Sequence, residues 1–171
     1  EHHTAVMAIL NVTPDSFSDG GKFNTMDQAM AQVEKMIAQG ADLIDVGGES
    51  TRPGHIQISD EEEICRVAPV VACLKKEFDI PLSVDTYKSA VAEAAIQAGC
   101  DLINDIWGLQ YDEKMAGLIA DAGVSCCLMH NRHEAVYENF LDDMVRDMEE
   151  CVRIAREAGV GDDRIILDPG V

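Results

Sequence analysis

Apolar positions along the chain alternate between two patterns. Runs with helical spacing are each followed by a glycine and then by a short, nearly continuous apolar stretch that ends in a polar residue. This unit occurs at Gln39-Gly40-Ala41-Asp42-Leu43-Ile44-Asp45, at Ala98-Gly99 to Asn104, at Ala122-Gly123 to His130 and at Ala158-Gly159 to Asp168. Glycine after a helical run is a helix stop. A short apolar run without alternation is a strand covered on both faces, as in parallel sheets. The pattern therefore predicts repeated βα units, with strands over 5–11, 42–47, 81–85, 101–105, 124–129 and 165–168. Helices are predicted over 26–39, 60–78, 88–98, 112–122 and 138–158. Thr25-x-x-Gln28 and Ser59-x-x-Glu62 read as capping boxes, and Pro69 predicts a kink or break in the second helix.

Alternating strands and helices build either a doubly wound sheet or a (β/α)₈ barrel. A dinucleotide-binding sheet wants G-x-G-x-x-G after its first strand. Here the first strand runs into Asn11-Val12-Thr13-Pro14-Asp15-Ser16-Phe17-Ser18-Asp19-Gly20-Gly21 instead. Polar residues also gather at the strand C-termini: Asn11, Asp45 with Glu49, Asp85, Asn104 with Asp105, His130 and Asp168. In a parallel barrel those ends converge on one functional face, so a (β/α)₈ TIM barrel is the predicted fold. It is incomplete, because 171 residues supply about six of eight strands, whereas a whole barrel takes about 250 residues. A single domain over 1–171, truncated after the sixth strand, is expected.

Hydrophobic content of 47% supports a packed core. No apolar run nears the roughly 20 residues needed to span a bilayer, and the N-terminus lacks the basic-then-apolar order of a signal peptide. With 13 basic and 32 acidic residues the net charge is −19, which argues against nucleic acid or anionic membrane as partner. An anionic substrate would need local cations, helix N-termini or a metal. The six cysteines form no C-x-x-C pair, so they read as buried or semi-buried thiols in a reducing cytoplasm.

Asp85, Asn104 and Asp168 in an apolar barrel mouth suit a flat heterocycle with amidine-like N–H groups, which a carboxylate accepts in pairs. Alternatively, Asp85 and Asp168 are buried helix caps. Lys88 stands close enough in sequence to pair with Asp85, but is expected to point along the following helix. Two loops, Thr13 to Phe23 and Gly47 to Gly54, carry Ser, Asp, Gly and one clear cation, Arg52. Such loops close over substrates, and both are expected to be mobile without ligand. Gly20-Gly21 and Gly47-Gly48 are weak phosphate-binding signals, and His130-x-x-His133 is read as a loop feature rather than a metal pair.

Six blocks, in order, carry a resemblance. MAILNVTPDSFSDGG (7–21) and IDVGGESTRPG (44–54), followed by SVDT (83–86), INDIWG (103–108), LMHNR (128–132) and LDPGV (167–171), resemble the dihydropteroate synthases of the pterin-binding family. The resemblance implies a usually dimeric (β/α)₈ barrel that condenses 6-hydroxymethyl-7,8-dihydropterin diphosphate with 4-aminobenzoate and releases pyrophosphate. It implies that Asp85, Asn104 and Asp168 bind the pterin, with Ile106 and Met129 packed beside it, and that Asn11 holds Mg²⁺. Thr51 and Arg52 belong to the second loop and Ser18 to the first. Phe17 and Pro53 would wall the aminobenzoate site, and Asp19 would stabilise a cationic methylene. A pterin-dependent methyltransferase domain and a non-catalytic pterin-binding fragment are the alternatives. The family's Lys, Arg and His from later strands have no counterpart before Val171.

Overall fold

The computed structural model describes residues 3–13, 22–49 and 57–170. Strands β1 (Met7–Asn11), β2 (Leu43–Gly47), β3 (Leu82–Asp85), β4 (Leu102–Asp105), β5 (Ser125–Met129) and β6 (Ile165–Asp168) form one sheet in the order β1-β2-β3-β4-β5-β6. Every neighbouring pair is parallel. Helices α1 (Lys22–Ala38), α2 (Asp60–Glu77), α3 (Ser89–Ala98), α4 (Met115–Ala122) and α5 (Phe140–Ala158) connect them. Strictly sequential order is that of a barrel; a doubly wound sheet would reverse direction from a central strand. The chain forms six consecutive βα-barrel strands.

The core lies between this sheet and its helices. Leu10, Ile44, Val46, Leu82, Val84, Ile103, Cys126 and Leu128 point outward from the strands and are at most 2% exposed. They meet Ala29 and Val33 of α1, Val67, Val71 and Leu74 of α2, Ala92 and Ala95 of α3, and Ile119 of α4. The opposite, inner face is more polar and more open. Ile9 is 62% exposed and Ile166 49% exposed, so the outermost strands are not covered on both faces as predicted, because six strands do not close around them.

Local signals explain most element boundaries. Ser59 caps α2, its Oγ accepting from the Glu62 N–H at 3.2 Å. The reciprocal half of the box is absent, since Glu62 pairs with Arg66 instead. Asp60, Glu61, Glu62 and Glu63 fill the first turn, where acidic side chains favour the helix dipole. Helix α2 continues unbroken through Pro69. Pro69 and Cys65, one turn earlier, lie on the exposed side, where water can satisfy the carbonyl that proline leaves unpaired. Gly99 and Gly159 end α3 and α5 with φ of 104° and 99°, the left-handed conformation that favours glycine.

The Thr25 box fails, because α1 already begins at Lys22 and Thr25 lies inside it. Helix α4 starts at Met115 rather than 112, since Asp112 is engaged in capping. Its carboxylate accepts from the backbone N–H groups of Ser89 at 2.8 Å and Lys114 at 3.0 Å. All six cysteines are free thiols; Cys65 is exposed, against expectation, and burial pushes Cys100 and Cys126 up to about 12. No helix among the described residues is long and apolar enough to cross a membrane.

Candidate functional site

Strand alternation divides the polar strand ends into two groups. In register, Asn11 lies beside Gly47, Gly47 beside Asp85, Asp85 beside Asn104, and Asn104 beside Cys127. One layer deeper Ile9, Asp45, Ser83, Leu102 and Ser125 align in the same way. Met129 pairs with Asp168 one step nearer the mouth. Side chains two residues apart on a strand share a face, so Asn11, Asp45, Asp85, Asn104, Met129 and Asp168 all project to the inner side. Burial pushes the thiol of Cys127 up to about 11, and the charges of Asp168 and Asp45 add to it, so those two carboxylates approach one centre.

The curvature is visible in one hydrogen bond. Asp45 and Asn104 sit on strands separated by β3, roughly 10 Å apart in a flat sheet. Asn104 Nδ2 nevertheless donates to Asp45 Oδ2 at 3.0 Å. Both side chains lean inward over β3, as a closing barrel requires. Gly47 keeps the space beside them clear: a Cβ there would lie 3.4 Å from Asn11 Oδ1 and 3.8 Å from Asp85 Oδ2. The inner face thus keeps a side-chain-free position between an amide oxygen and a carboxylate.

Asp85 is the unusual group. Its Oδ1 is buried without a hydrogen-bond partner, as is Oδ1 of Asp45. Burial, reinforced by the negative charges of Asp45, Glu63, Asp105 and Glu49, pushes Asp85 up to about 8. Burial also raises Asp45, opposed by hydrogen bonding that includes the Asn104 amide. Asp85 therefore caps no helix. Leaving a buried acceptor unsatisfied costs about 1–3 kcal/mol, a cost that an incoming pair of N–H groups would remove. Asp168 differs: it is only half-buried, and its Oδ1 accepts from Gly170 N–H at 2.8 Å.

Three residues predicted on the functional face belong elsewhere. Glu49 is buried behind the sheet, accepting from Tyr87 Oη at 2.5 Å, from Lys88 Nζ at 2.6 Å and from Ile58 N–H at 3.0 Å. Lys88 does not run along α3. It turns inward, 4% exposed, and also donates to Glu63 at 2.8 Å and to the Ile58 carbonyl at 2.8 Å. Burial works against the charges here, but the hydrogen bonds outweigh it for Glu49, held below the ordinary carboxylate range, and for Lys88, held above its usual value.

Asp105 alternates to the outer face and accepts the N–H groups of Trp107 and Leu109 at 2.8 Å each, shaping the turn in which Leu109 adopts φ 69°. His130 is buried against α5, where Asp147 meets both its Nε2 at 3.2 Å and Arg132 Nε at 2.6 Å. His133 stacks on Trp107, ring centres 4.5 Å apart, as befits a loop residue. Gly48 faces α2, where a Cβ would strike Val67, so it serves packing rather than phosphate.

Ile106 is half-buried in the turn after β4, and Met129 is half-buried on the inner face. Phe17, Ser18, Asp19, Thr51, Arg52 and Pro53, with Gly20-Gly21 and the expected loop motions, lie outside the described residues. Among the described residues, no group of three or more His, Cys, Asp or Glu could hold a metal. Asp45 is the member of the cluster that sequence reasoning left out of the binding set. Its signal is a carboxylate two residues before a glycine in the otherwise apolar strand Leu43–Gly47.

An inner face that carries an unpartnered carboxylate, an oriented amide and the side-chain-free Gly47 fits what comparison with known proteins finds. Residues 7–171 match the family described as "Pterin binding enzyme". The chain belongs to the pterin binding enzymes. Within that family it is 58% identical over 168 residues to the dihydropteroate synthase of Clostridium beijerinckii, an alignment covering 98% of this chain and 62% of that protein. Two solved structures share the fold of this pterin binding enzyme. Dihydropteroate synthase from Clostridium difficile, crystallised in the presence of pteroic acid, superposes with a TM-score of 0.95 at 47% identity, covering 98% of this chain and 64% of that one. The Xanthomonas albilineans enzyme with 4-aminobenzoic acid gives 0.90 at 42% identity, covering 97% and 61%. The chain thus spans about three-fifths of the length of these relatives. The methyltransferase alternative is not favoured by these neighbours.

Proposed function

We propose that the protein carrying this chain is a dihydropteroate synthase, a transferase of folate biosynthesis. It joins 6-hydroxymethyl-7,8-dihydropterin diphosphate to 4-aminobenzoate and releases pyrophosphate. The observation that carries this reading is Asp85: a buried carboxylate oxygen without a partner, on the same inner face as Asn104 and Gly47. In this reading residues 1–171 form one pterin-binding domain. The Clostridium difficile and Xanthomonas albilineans relatives, crystallised with pteroic acid and with 4-aminobenzoic acid respectively, support both substrate classes.

Asp85 accepts two parallel N–H bonds from the amidine-like edge of the pterin, a bidentate match for a carboxylate. Asn104 supplies one donor and one acceptor to the next edge, and Asp168 a further acceptor. Ile106 and Met129 pack beside the ring. Electron release from the reduced ring weakens the exocyclic C–O bond. That bond breaks with its electron pair leaving on pyrophosphate, the aniline nitrogen attacks the methylene carbon, and the attacking nitrogen then loses its proton. Asp19 stabilises the cationic methylene; Thr51 and Arg52 attend the second loop, and Phe17, Ser18 and Pro53 shape the aminobenzoate pocket. The raised thiols of the buried cysteines fit a reaction without a protein nucleophile.

Asn11 fits Mg²⁺ as one oxygen ligand among several. Its Oδ1 borders the space above Gly47, and Mg²⁺ in phosphate-transfer sites takes few protein ligands and completes its shell with water and phosphate oxygens. Bound there, it would neutralise charge on the departing pyrophosphate, which a chain of net charge −19 needs. In this reading the enzyme is a cytoplasmic homodimer, and analytical ultracentrifugation of the intact gene product tests the dimer. The decisive assay is pyrophosphate release by that product with both substrates and Mg²⁺; no release above the uncatalysed rate would refute the reading.

A further inference from the structure

We infer that Asp105, which faces away from the ligand, is a positioning residue for the site: its carboxylate holds Leu109 in a left-handed turn, and that turn sets where Ile106 and Met129 stand beside the ring. The inference rests on the pterin reading above.

Among the described residues, Leu109 is the single non-glycine residue with positive φ, at 69°. A side chain in that region is strained, and it persists only where its surroundings fix it. Two contacts fix this one. The Leu109 side chain is 3% exposed within the core, and its N–H donates to Asp105 Oδ2 at 2.8 Å. The other carboxylate oxygen of Asp105 accepts from Trp107 N–H at 2.8 Å, and its carbonyl accepts from Gly108 N–H at 3.1 Å. One residue thus receives three successive amides. Asp105 is itself 1% exposed. Burial pushes it up to about 6, helped by the charge of Asp112 and opposed by the Trp107 and Leu109 N–H groups, so at neutral pH it is the carboxylate that the turn needs.

The turn reaches the site at two points. Ile106 lies inside the small ring that the Asp105–Trp107 hydrogen bond closes, directly after Asn104 and Asp105, so its backbone is fixed while that bond holds. Gly108, with φ 58°, presses against β5 and α5: a Cβ there would strike Cys151 Sγ and lie 3.2 Å from the Met129 carbonyl oxygen. Freed from Asp105, Leu109 would fall back to negative φ. The peptide between Gly108 and Leu109 would turn with it and withdraw from Met129. Asp105 therefore acts on the inner face from behind the sheet, and the stored strain makes the turn dependent on it. Strain of this kind collects beside functional sites.

The test is calorimetric binding of 6-hydroxymethyl-7,8-dihydropterin, paired with urea unfolding, for the intact gene product and its variants. In Asp105→Asn an NH₂ opposes one of the backbone N–H groups, and affinity should fall about tenfold, the equivalent of roughly 1.4 kcal/mol. Adding Leu109→Gly to Asp105→Asn supplies a residue that takes positive φ unaided. Affinity should then recover at least threefold, although loss of the buried side chain lowers stability further. A merely structural Asp105 would make affinity and stability fall together in the double variant. Should Asp105→Asn not fold, Leu109→Val and Leu109→Gly carry the same comparison with Asp105 intact. Valine stays apolar but resists the left-handed region, so it should lose affinity while glycine stays near wild type. Undiminished affinity in Asp105→Asn, no recovery in the double variant, or equal affinities of the valine and glycine variants would overturn the inference and leave the pterin reading in place. No binding by the wild type would remove that reading, and the inference with it.

Discussion

Replacing Asp85 by Asn should stabilise the free protein and weaken its ligand binding. The carboxyl ionises near 3.8 in an unfolded chain and near 8 in the folded one. Between those values the folded state holds a proton that the unfolded state has released, so the contribution of Asp85 to stability is intact in acid and is lost as pH rises toward 8. Each unit in that window costs up to about 1.4 kcal/mol. Water reaching the half-buried carboxyl through the open inner face reduces the sum, and we expect a penalty of about 1–3 kcal/mol at pH 8, the scale of one unsatisfied buried group. Asn keeps the size and an acceptor but cannot ionise. Urea unfolding of both proteins should show Asp85→Asn nearly equal to wild type at pH 4 and more stable by about 1–3 kcal/mol at pH 8. Calorimetry should show pterin affinity reduced by a similar free energy, because one of two paired N–H groups now meets an NH₂. A variant less stable than wild type at pH 8, or one with the same pH dependence, would refute the reasoning.

Because Asp85 is held near 8, a ligand that needs its carboxylate must expel a proton. Calorimetry at pH 7 in buffers of different ionisation enthalpy should detect net proton release, and affinity should rise from pH 6 to 8 by up to ~10-fold per unit; absence of release would count against Asp85 as the acceptor. Gly47→Ala places a Cβ 3.4 Å from Asn11 Oδ1 and 3.8 Å from Asp85, a contact the fold tolerates but the ligand does not, so thermal unfolding should be unchanged while pterin binding weakens about tenfold or more, the effect of losing roughly 1.4 kcal/mol. Lys88→Met strands Glu49 and Glu63 as buried carboxylates and should cost about 3–5 kcal/mol in urea unfolding; a loss under about 1 kcal/mol would show the cluster to be solvated.

The βα architecture is legible because its signals are local. Gly99 and Gly159 end helices wherever the chain must turn back, and Ser59 caps α2 within three residues of itself. Asp85, Asn104 and Asp168 stand out because each interrupts an apolar strand at the same end. What escapes the sequence depends on partners distant along it. Asp105 resembles Asn104 in every local respect, yet a shift of one residue sends it to the opposite face and into the Trp107 and Leu109 amides. By sequence Lys88 is expected to point along α3, but Glu49 and Glu63, both remote in sequence, enclose it. Asp45 acquires its role only when curvature brings Asn104 across an intervening strand. The Thr25 box matches its pattern and still fails, because α1 is already under way three residues earlier.

The Lys88 cluster also constrains how the chain can vary. Glu49 and Ile58 flank residues 50–57, and the single ammonium of Lys88 holds both flanks, one by carboxylate and one by carbonyl, while Glu49 takes the Ile58 N–H directly. The entropy of bringing those flanks together is therefore offset by buried groups of the scaffold. Sequence drift at Glu49, Tyr87 or Lys88 would release both flanks together, so the position of this stretch and the stability of the fold are inherited as one.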